Sequence, residues 1–342
     1  MARKHAASRI CASVSQTLLG LVFATVLATL GVLLSTGARA TAETYPSRQI
    51  HLIVPFPPGG GNDAMARIVG DKLGEALGQR VVIENKGGAG GVVGTASVAK
   101  AAPDGHTLLL GHTGTLAINP HLYRTISYDP RLDFAPVGQI ARIPLVMVVN
   151  PSLAARTVQE FIALAKSRPG QLNYASSGVG TGSHLAAELF ASRAGISMTH
   201  VPYRGTAPGI TDLIGGRVEV SFSVVSAAAT QVEGGNLRAL AVTGSERSPT
   251  LPEVPTMAQA GLPGFEAVLN YGLVAPAGTP GAAIALLNAK LAAILGADDM
   301  KARLVADGAE PTPSSSEAYG ALIAQDLERW GEAVRLSGAK AD

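Results

Sequence analysis

The stretch from Ile50 to Arg67, IHLIVPFPPGGGNDAMAR, joins an apolar strand to a helix through a loop that neither element can absorb. His51 to Phe56 has the short apolar run of a buried strand, and Pro57 and Pro58 cannot continue a hydrogen-bonded ladder. Gly59, Gly60 and Gly61 then admit backbone angles closed to other residues. Asn62 or Asp63 is a good N-cap for a helix whose apolar side carries Met65, Ile68, Val69, Leu73 and Leu77, ended by Gly78. The first turn of such a helix points unpaired N–H groups, with the positive end of its dipole, into a glycine-lined hollow suited to an anionic ligand.

Residues 1 to 40 stand apart as a secretory signal: a basic head (Arg3, Lys4, Arg9), an uncharged apolar run from Thr17 to Leu34, and the A-x-A site Ala38-Arg39-Ala40. The run approaches the ~18 residues of a membrane span, so an uncleaved anchor is the alternative. The small residues after it favour cleavage, a chain beginning near Thr41, and a periplasmic location. Cys11, the only cysteine, precedes the run, so the exported chain has no thiol nucleophile, disulfide or cysteine metal site. Cleavage removes four of the 27 basic residues and none of the 25 acidic ones, leaving a net charge of −2. That balance argues against a nucleic-acid surface or a polybasic membrane patch. The roughly 300 residues that remain are ample for two cores.

Strand, glycine loop and helix alternate along the first part: a strand at Arg80 to Asn85, the loop Gly87 to Gly91, a helix from about Val92 to Ala101, and a strand at Thr107 to Gly111. Such alternation predicts a parallel sheet covered by helices, with ligands at the loops beyond the carboxyl ends of the strands. A strand at Pro144 to Asn150 opens a second series, with a helix near Val158 to Ser167 and a strand at Leu172 to Ala175. The loop Ser176 to Gly182 and a helix from Ser183 to Ala194 follow, then strands at Ser197 to Tyr203, Val218 to Val224 and Leu237 to Thr243. After Pro252 the pattern offers one strand, Val268 to Ala275, and helices at Ala282 to Leu295, Asp298 to Ala306 and Ser316 to Leu336, too few strands for a domain of its own. This tail is expected to return to the first sheet, placing Trp330 away from a cleft between two lobes.

Three chemistries compete for the glycine loops. Gly59 to Ala64 formally fits G-x-G-x-x-A, with Glu84 near a ribose-binding position, but Pro57-Pro58 lengthens the turn and export would lose a diffusible cofactor. Hydrolysis has nominal candidates in Ser177, Ser183, His184 and Asp63, yet no G-x-S-x-G, H-E-x-x-H or S-x-x-K pattern occurs in the mature chain. His184 and Glu188, one helical turn apart, are two ligands and not a metal site. The third reading is capture of a small carboxylate without chemistry. Helix-start N–H groups would hold the acid, with the hydroxyls of Thr181 and Ser183 both capping the helix and donating to the ligand. Arg204, beside Tyr203, is the rival anchor.

The chain also resembles the Bug-type periplasmic solute receptors, the substrate-binding proteins of tripartite tricarboxylate transporters. The resemblance covers essentially the whole mature chain. It is carried by VPFPPGGGND (Val54 to Asp63), VIENKGGAGG (Val82 to Gly91), APDGHTLL (Ala102 to Leu109), INPHLY (Ile118 to Tyr123), YASSGVGTGSHLAAELF (Tyr174 to Phe190), HVPYRG (His200 to Gly205), LRALAVTGSER (Leu237 to Arg247), PEVPT (Pro252 to Thr256) and APAGTP (Ala275 to Pro280).

The resemblance implies an α/β type II periplasmic binding fold: lobe 1 from 43–145 with 256–342, lobe 2 from 146–255, and a hinge near 145 and 245–255. It implies a monomer that closes on an organic acid such as citrate, a dicarboxylate, an acidic amino acid or an aromatic acid and delivers it to a membrane permease or sensor. No catalysis and no cofactor are expected. The family's ligand loops map onto Phe56, Gly59, Gly60 and Asp63, onto Thr113, onto Ser177, Gly180, Thr181, Ser183 and His184, and onto Tyr203 and Gly205. Ser223 stands where an acidic or amide residue is expected, and Tyr271 where tryptophan is usual. Both are candidates to face the cleft.

Overall fold

A computed structural model describes residues 45–59, 61–306 and 308–341. The signal segment expected at 1–40 and the candidate Gly60 therefore lie outside the described residues. In chain order the elements are β1 (Ile50–Val54), α1 (Gly61–Leu77), β2 (Val81–Asn85), α2 (Val92–Ala99) and β3 (Thr107–His112). A wide helical turn (Gly114–Ile118) leads into α3 (Asn119–Leu122) and β4 (Phe134–Val149). The middle of the chain forms α4 (Val158–Ser167), β5 (Asn173–Ser176), α5 (Gly182–Ala194), β6 (Thr199–Pro202), α6 (Thr206–Ile214), β7 (Val220–Val224), α7 (Val225–Glu233) and β8 (Arg238–Val242). The last part comprises β9 (Val268–Pro276), α8 (Gly281–Gly296), α9 (Asp298–Ala306), β10 (Glu310–Pro311) and α10 (Ser316–Ser337).

The strands lie in the order β2-β1-β3-β9-β4-β7-β5-β6, with β8 and β10 also on β4. The parallel pairing that alternation predicts is found in β2-β1-β3 and again in β7-β5-β6. Between these blocks β9 and β4 run antiparallel to their neighbours, so the sheet is mixed. The tail does return to the first block, and it does so by inserting β9 into the sheet between β3 and β4. From Phe134 to Pro144 β4 pairs with β9, and from Leu145 to Val149 it pairs with β7, with β8 on its other side from Val146. One strand thus belongs to both blocks.

Thr243 ties the second connection to that change of partner. Its hydroxyl donates to the Ala267 carbonyl at 2.6 Å and accepts from the Leu145 N–H at 2.8 Å. One apolar core lies under β1, β3, α1 and α8, and another under β4, β8, α6 and α7. A third runs through both blocks, from Leu109 and Leu116 to Phe161 and Phe190, and contains Trp330 of α10, which is fully buried. The last helix is therefore not confined to the first block: it packs on α5 as well as on β4.

Candidate functional site

The loop after β5 and the start of α5 form one wall of a partly enclosed cavity of about 320 Å³. Thr181 is the N-cap by backbone geometry, yet its side chain makes no bond to the helix N–H groups. Its hydroxyl donates instead to the Gly178 carbonyl at 2.7 Å. Each hydroxyl has a single proton, so the 3.0 Å bond to Ser183 must run from Ser183 to Thr181, and the 2.9 Å bond between Ser177 and Ser183 from Ser177 to Ser183. The expectation that the Thr181 and Ser183 hydroxyls cap the helix is thus corrected. Their protons are engaged within the loop, and the first-turn N–H groups of α5 have no side-chain partner.

His184 supports this wall from behind. Its Nδ1 accepts the Gly180 N–H at 3.0 Å, and its ring stacks on His200 at 4.0 Å. Burial and the neighbouring His200 lower its pKa to about 4, so it is neutral at pH 7. The Gly205 N–H donates to the Ser177 carbonyl, and the Tyr203 hydroxyl to Asp212. His184, Tyr203 and Gly205 are absent from the cavity lining, and Arg204 is exposed and absent as well. Glu188 accepts from the Tyr174 hydroxyl.

The first block supplies the opposite wall as an aromatic row. Phe56, His112 and Tyr271 follow one another at ring separations of 5.0 and 5.4 Å. His112 and Tyr271 are opposite each other in the β3–β9 register. The Gly114 N–H donates to His112 Nδ1 at 2.8 Å, which leaves the ring proton on Nε2, and burial lowers the histidine's pKa to about 4. The row is therefore uncharged. Asp63 is buried beneath the loop, where it holds Arg67 through two 3.0 Å bonds and accepts the Gly59 N–H at 3.0 Å. The Arg67 bond, with that from Gly59, draws its pKa down to about 2. Its carboxylate already occupies the start of α1. Thr113 is buried too, donating to Asp326 and accepting the Asn270 N–H at 2.7 Å.

The walls meet where two glycines leave room. A Cβ on Gly180 would lie 2.2 Å from a Leu122 methyl, and one on Gly182 would lie 2.5 Å from a Leu269 methyl. Gly180 also has φ +74°, a region that side chains strain to adopt.

Of the residues singled out in the sequence, Phe56, Ser177, Gly180, Thr181, Ser183, Ser223 and Tyr271 line the cavity. Gly59, Asp63, Thr113, His184, Tyr203 and Gly205 do not. Sequence reasoning did not single out His112, Asn119, Tyr123 and Ser221, which also line it, as does Asn62 of the loop Phe56 to Asp63. Asn62 and Tyr123 sit inside the motifs VPFPPGGGND and INPHLY, and Ser221 is two residues from Ser223 on one strand face, so these three left a signal. Glu84 pairs with His51 and Lys86 and is not a lining residue. Among the described residues no Asp, Glu, Lys or Arg lines the cavity.

Residues 65–338 match the family described as the tripartite tricarboxylate transporter family receptor. The chain belongs to this family. It is 40% identical over 318 residues to protein BugT of Bordetella pertussis, spanning 92% of this chain and 98% of that protein. An R. palustris protein solved with adipate superposes with a TM-score of 0.74 at 39% identity, over 86% of this chain and 99% of that one. MatC of Rhodopseudomonas palustris, solved with bound malate, superposes at 0.71 and 34% identity, over 85% of this chain and all of the other.

Proposed function

We propose that the protein is a periplasmic receptor that captures a small organic acid, without transforming it, and delivers it to the membrane permease of a tripartite transporter or to a sensor. The observation that carries this reading is the start of α5. Its N–H groups lack a side-chain cap and open onto a partly enclosed cavity with no charged lining residue among the described residues. A carboxylate placed there accepts backbone N–H bonds at the positive end of the helix dipole, each charge-assisted bond contributing about 1.5 to 3 kcal/mol. The relatives solved with adipate and malate support an acid as the ligand class.

In this reading the ligand-holding residues are Phe56, Ser177, Gly180, Thr181, Ser183, Ser223 and Tyr271, joined by His112 and Asn62. Asp63, Thr113, His184, Tyr203 and Gly205 shape the loops around them. The lobes are 43–145 with 256–342 and 146–255, closing about the partner change in β4 and the Thr243 tie. The mature chain begins near Thr41, acts as a monomer, and carries no cofactor. A thermal-shift screen of organic acids tests the proposal, because a ligand at 100 times its Kd adds about 2.7 kcal/mol to stability. Silence across mono-, di- and tricarboxylates, or a nicotinamide cofactor copurifying in stoichiometric amount, would overturn it in favour of an exported α/β enzyme.

A further inference from the structure

Strand β7 places Ser221 and Ser223 two residues apart on one face, and both line the cavity. They are 5% and 2% exposed, so bulk water serves neither hydroxyl. Ser221 Oγ lies 3.1 Å from the Ala175 carbonyl oxygen and 3.0 Å from Ser223 Oγ. A carbonyl can only accept, so the single proton of Ser221 goes to Ala175. The bond between the serines must then run from the Ser223 O–H to Ser221 Oγ. Ser223 has no second proton, and its oxygen is left in the cavity wall as an acceptor only. Asn62 contributes another acceptor to the same cavity, since its Oδ1 is buried without a partner.

Acceptors without a donor on the wall of a partly enclosed cavity favour a ligand that brings one. A carboxylate brings none, and near Ser223 Oγ it meets only lone pairs. An ammonium brings donors together with a charge, and no Asp or Glu lines the cavity to balance it. The neighbouring acids are already engaged: Asp63 with Arg67, Glu188 with Tyr174, and Asp212 with Arg217 and Tyr203. A buried ammonium without a counter-ion is strongly disfavoured, whereas a neutral hydroxyl supplies its proton without that penalty.

We propose that this receptor selects a hydroxylated organic acid, its carboxylate held at the start of α5 and its hydroxyl donating to Ser223 Oγ. The proposal rests on the carboxylate-capture reading above. It also gives meaning to a serine where the family resemblance leads one to expect an acidic or amide side chain: an acid at position 223 would offer the ammonium its missing counter-ion.

Calorimetry on matched triplets tests it: propionate, lactate and alanine; succinate, malate and aspartate; and phenylacetate, mandelate and phenylglycine. In the triplet that binds, the hydroxy acid is expected to bind at least about tenfold tighter than its deoxy and amino counterparts, a difference of ~1.4 kcal/mol. Ser223→Ala is expected to collapse the hydroxy-to-deoxy ratio to about one, and Ser223→Thr to retain it. Binding of the deoxy acid to each variant reports that the site is folded. Equal affinities in the natural protein, or a preference that survives Ser223→Ala, would overturn the hydroxyl assignment while leaving acid capture intact. Failure of every triplet, and of adipate and citrate, to bind would overturn acid capture itself and the hydroxyl assignment with it.

Discussion

Replacing Asp326 by asparagine should stabilise the protein at neutral pH, by an amount that shrinks as the pH falls toward 4. Asp326 lies on α10, 3% exposed, with Oδ2 accepting from Asn270 Nδ2 at 2.7 Å and from the Thr113 hydroxyl at 3.3 Å. Oδ1 is buried without a hydrogen-bond partner, and the Arg329 guanidinium is 3.9 Å away. Burial pushes the pKa from 3.8 up to about 6, opposed by Asn270, Arg329 and Thr113 and assisted by Glu266. The folded protein thus holds this proton more tightly than the unfolded chain does. The associated stability is complete below pH 3.8 and is lost as pH rises through about 6. At 1.36 kcal/mol per pKa unit the loss amounts to ~3 kcal/mol.

Asparagine keeps an oxygen for Asn270 and Thr113 and removes the charge. Asp326→Asn should therefore be more stable by ~1 to 3 kcal/mol at pH 7.5, with the difference shrinking toward zero at pH 4. Urea unfolding followed by far-ultraviolet circular dichroism, at half-unit steps from pH 4 to 8, measures both curves. Parallel curves, or a variant less stable than the natural protein at pH 7.5, would refute the assignment of a destabilising buried charge.

Further outcomes follow from the cavity walls. Gly180→Ala must accept φ +74° and displace Leu122, so calorimetry should show at least a tenfold weaker ligand, with stability lower by ~2 kcal/mol. Arg204→Gln alters an exposed side chain outside the lining and should leave Kd within twofold, whereas Thr181→Val frees the Gly178 carbonyl and should weaken binding about tenfold. The reverse result would make Arg204 the acid anchor. N-terminal sequencing of periplasmic protein should read from within two residues of Thr41, and a chain beginning near Met1 in the membrane fraction would contradict export with cleavage.

The bounds of α1, α4 and α5 were legible because apolar spacing and glycine breaks act over a few residues, and Thr157 signals its own helix by accepting the Glu160 N–H. The paired loops at Phe56 and Ser177 were legible for the same local reason. The first half of β4 was not. Pro136 and Gly138 read as loop residues, and the strand tolerates them through register shifts against β9 between Pro136 and Gly138 and between Gln139 and Ala141.

Sequence by itself determined the alternation of strands and helices, the glycine loops at their ends, and the absence of any cysteine after Cys11. Only the tertiary structure decided that β9 enters between β3 and β4, which sets Tyr271 against His112 and builds the aromatic wall. It alone decided that the protons of Thr181 and Ser221 are directed to the Gly178 and Ala175 carbonyls, leaving backbone N–H groups at one end of the cavity and a bare acceptor at Ser223. The reason is physical. Periodicity and backbone angles are set by neighbours along the chain, whereas strand partners and the direction of a hydroxyl's one proton depend on groups brought near by folding.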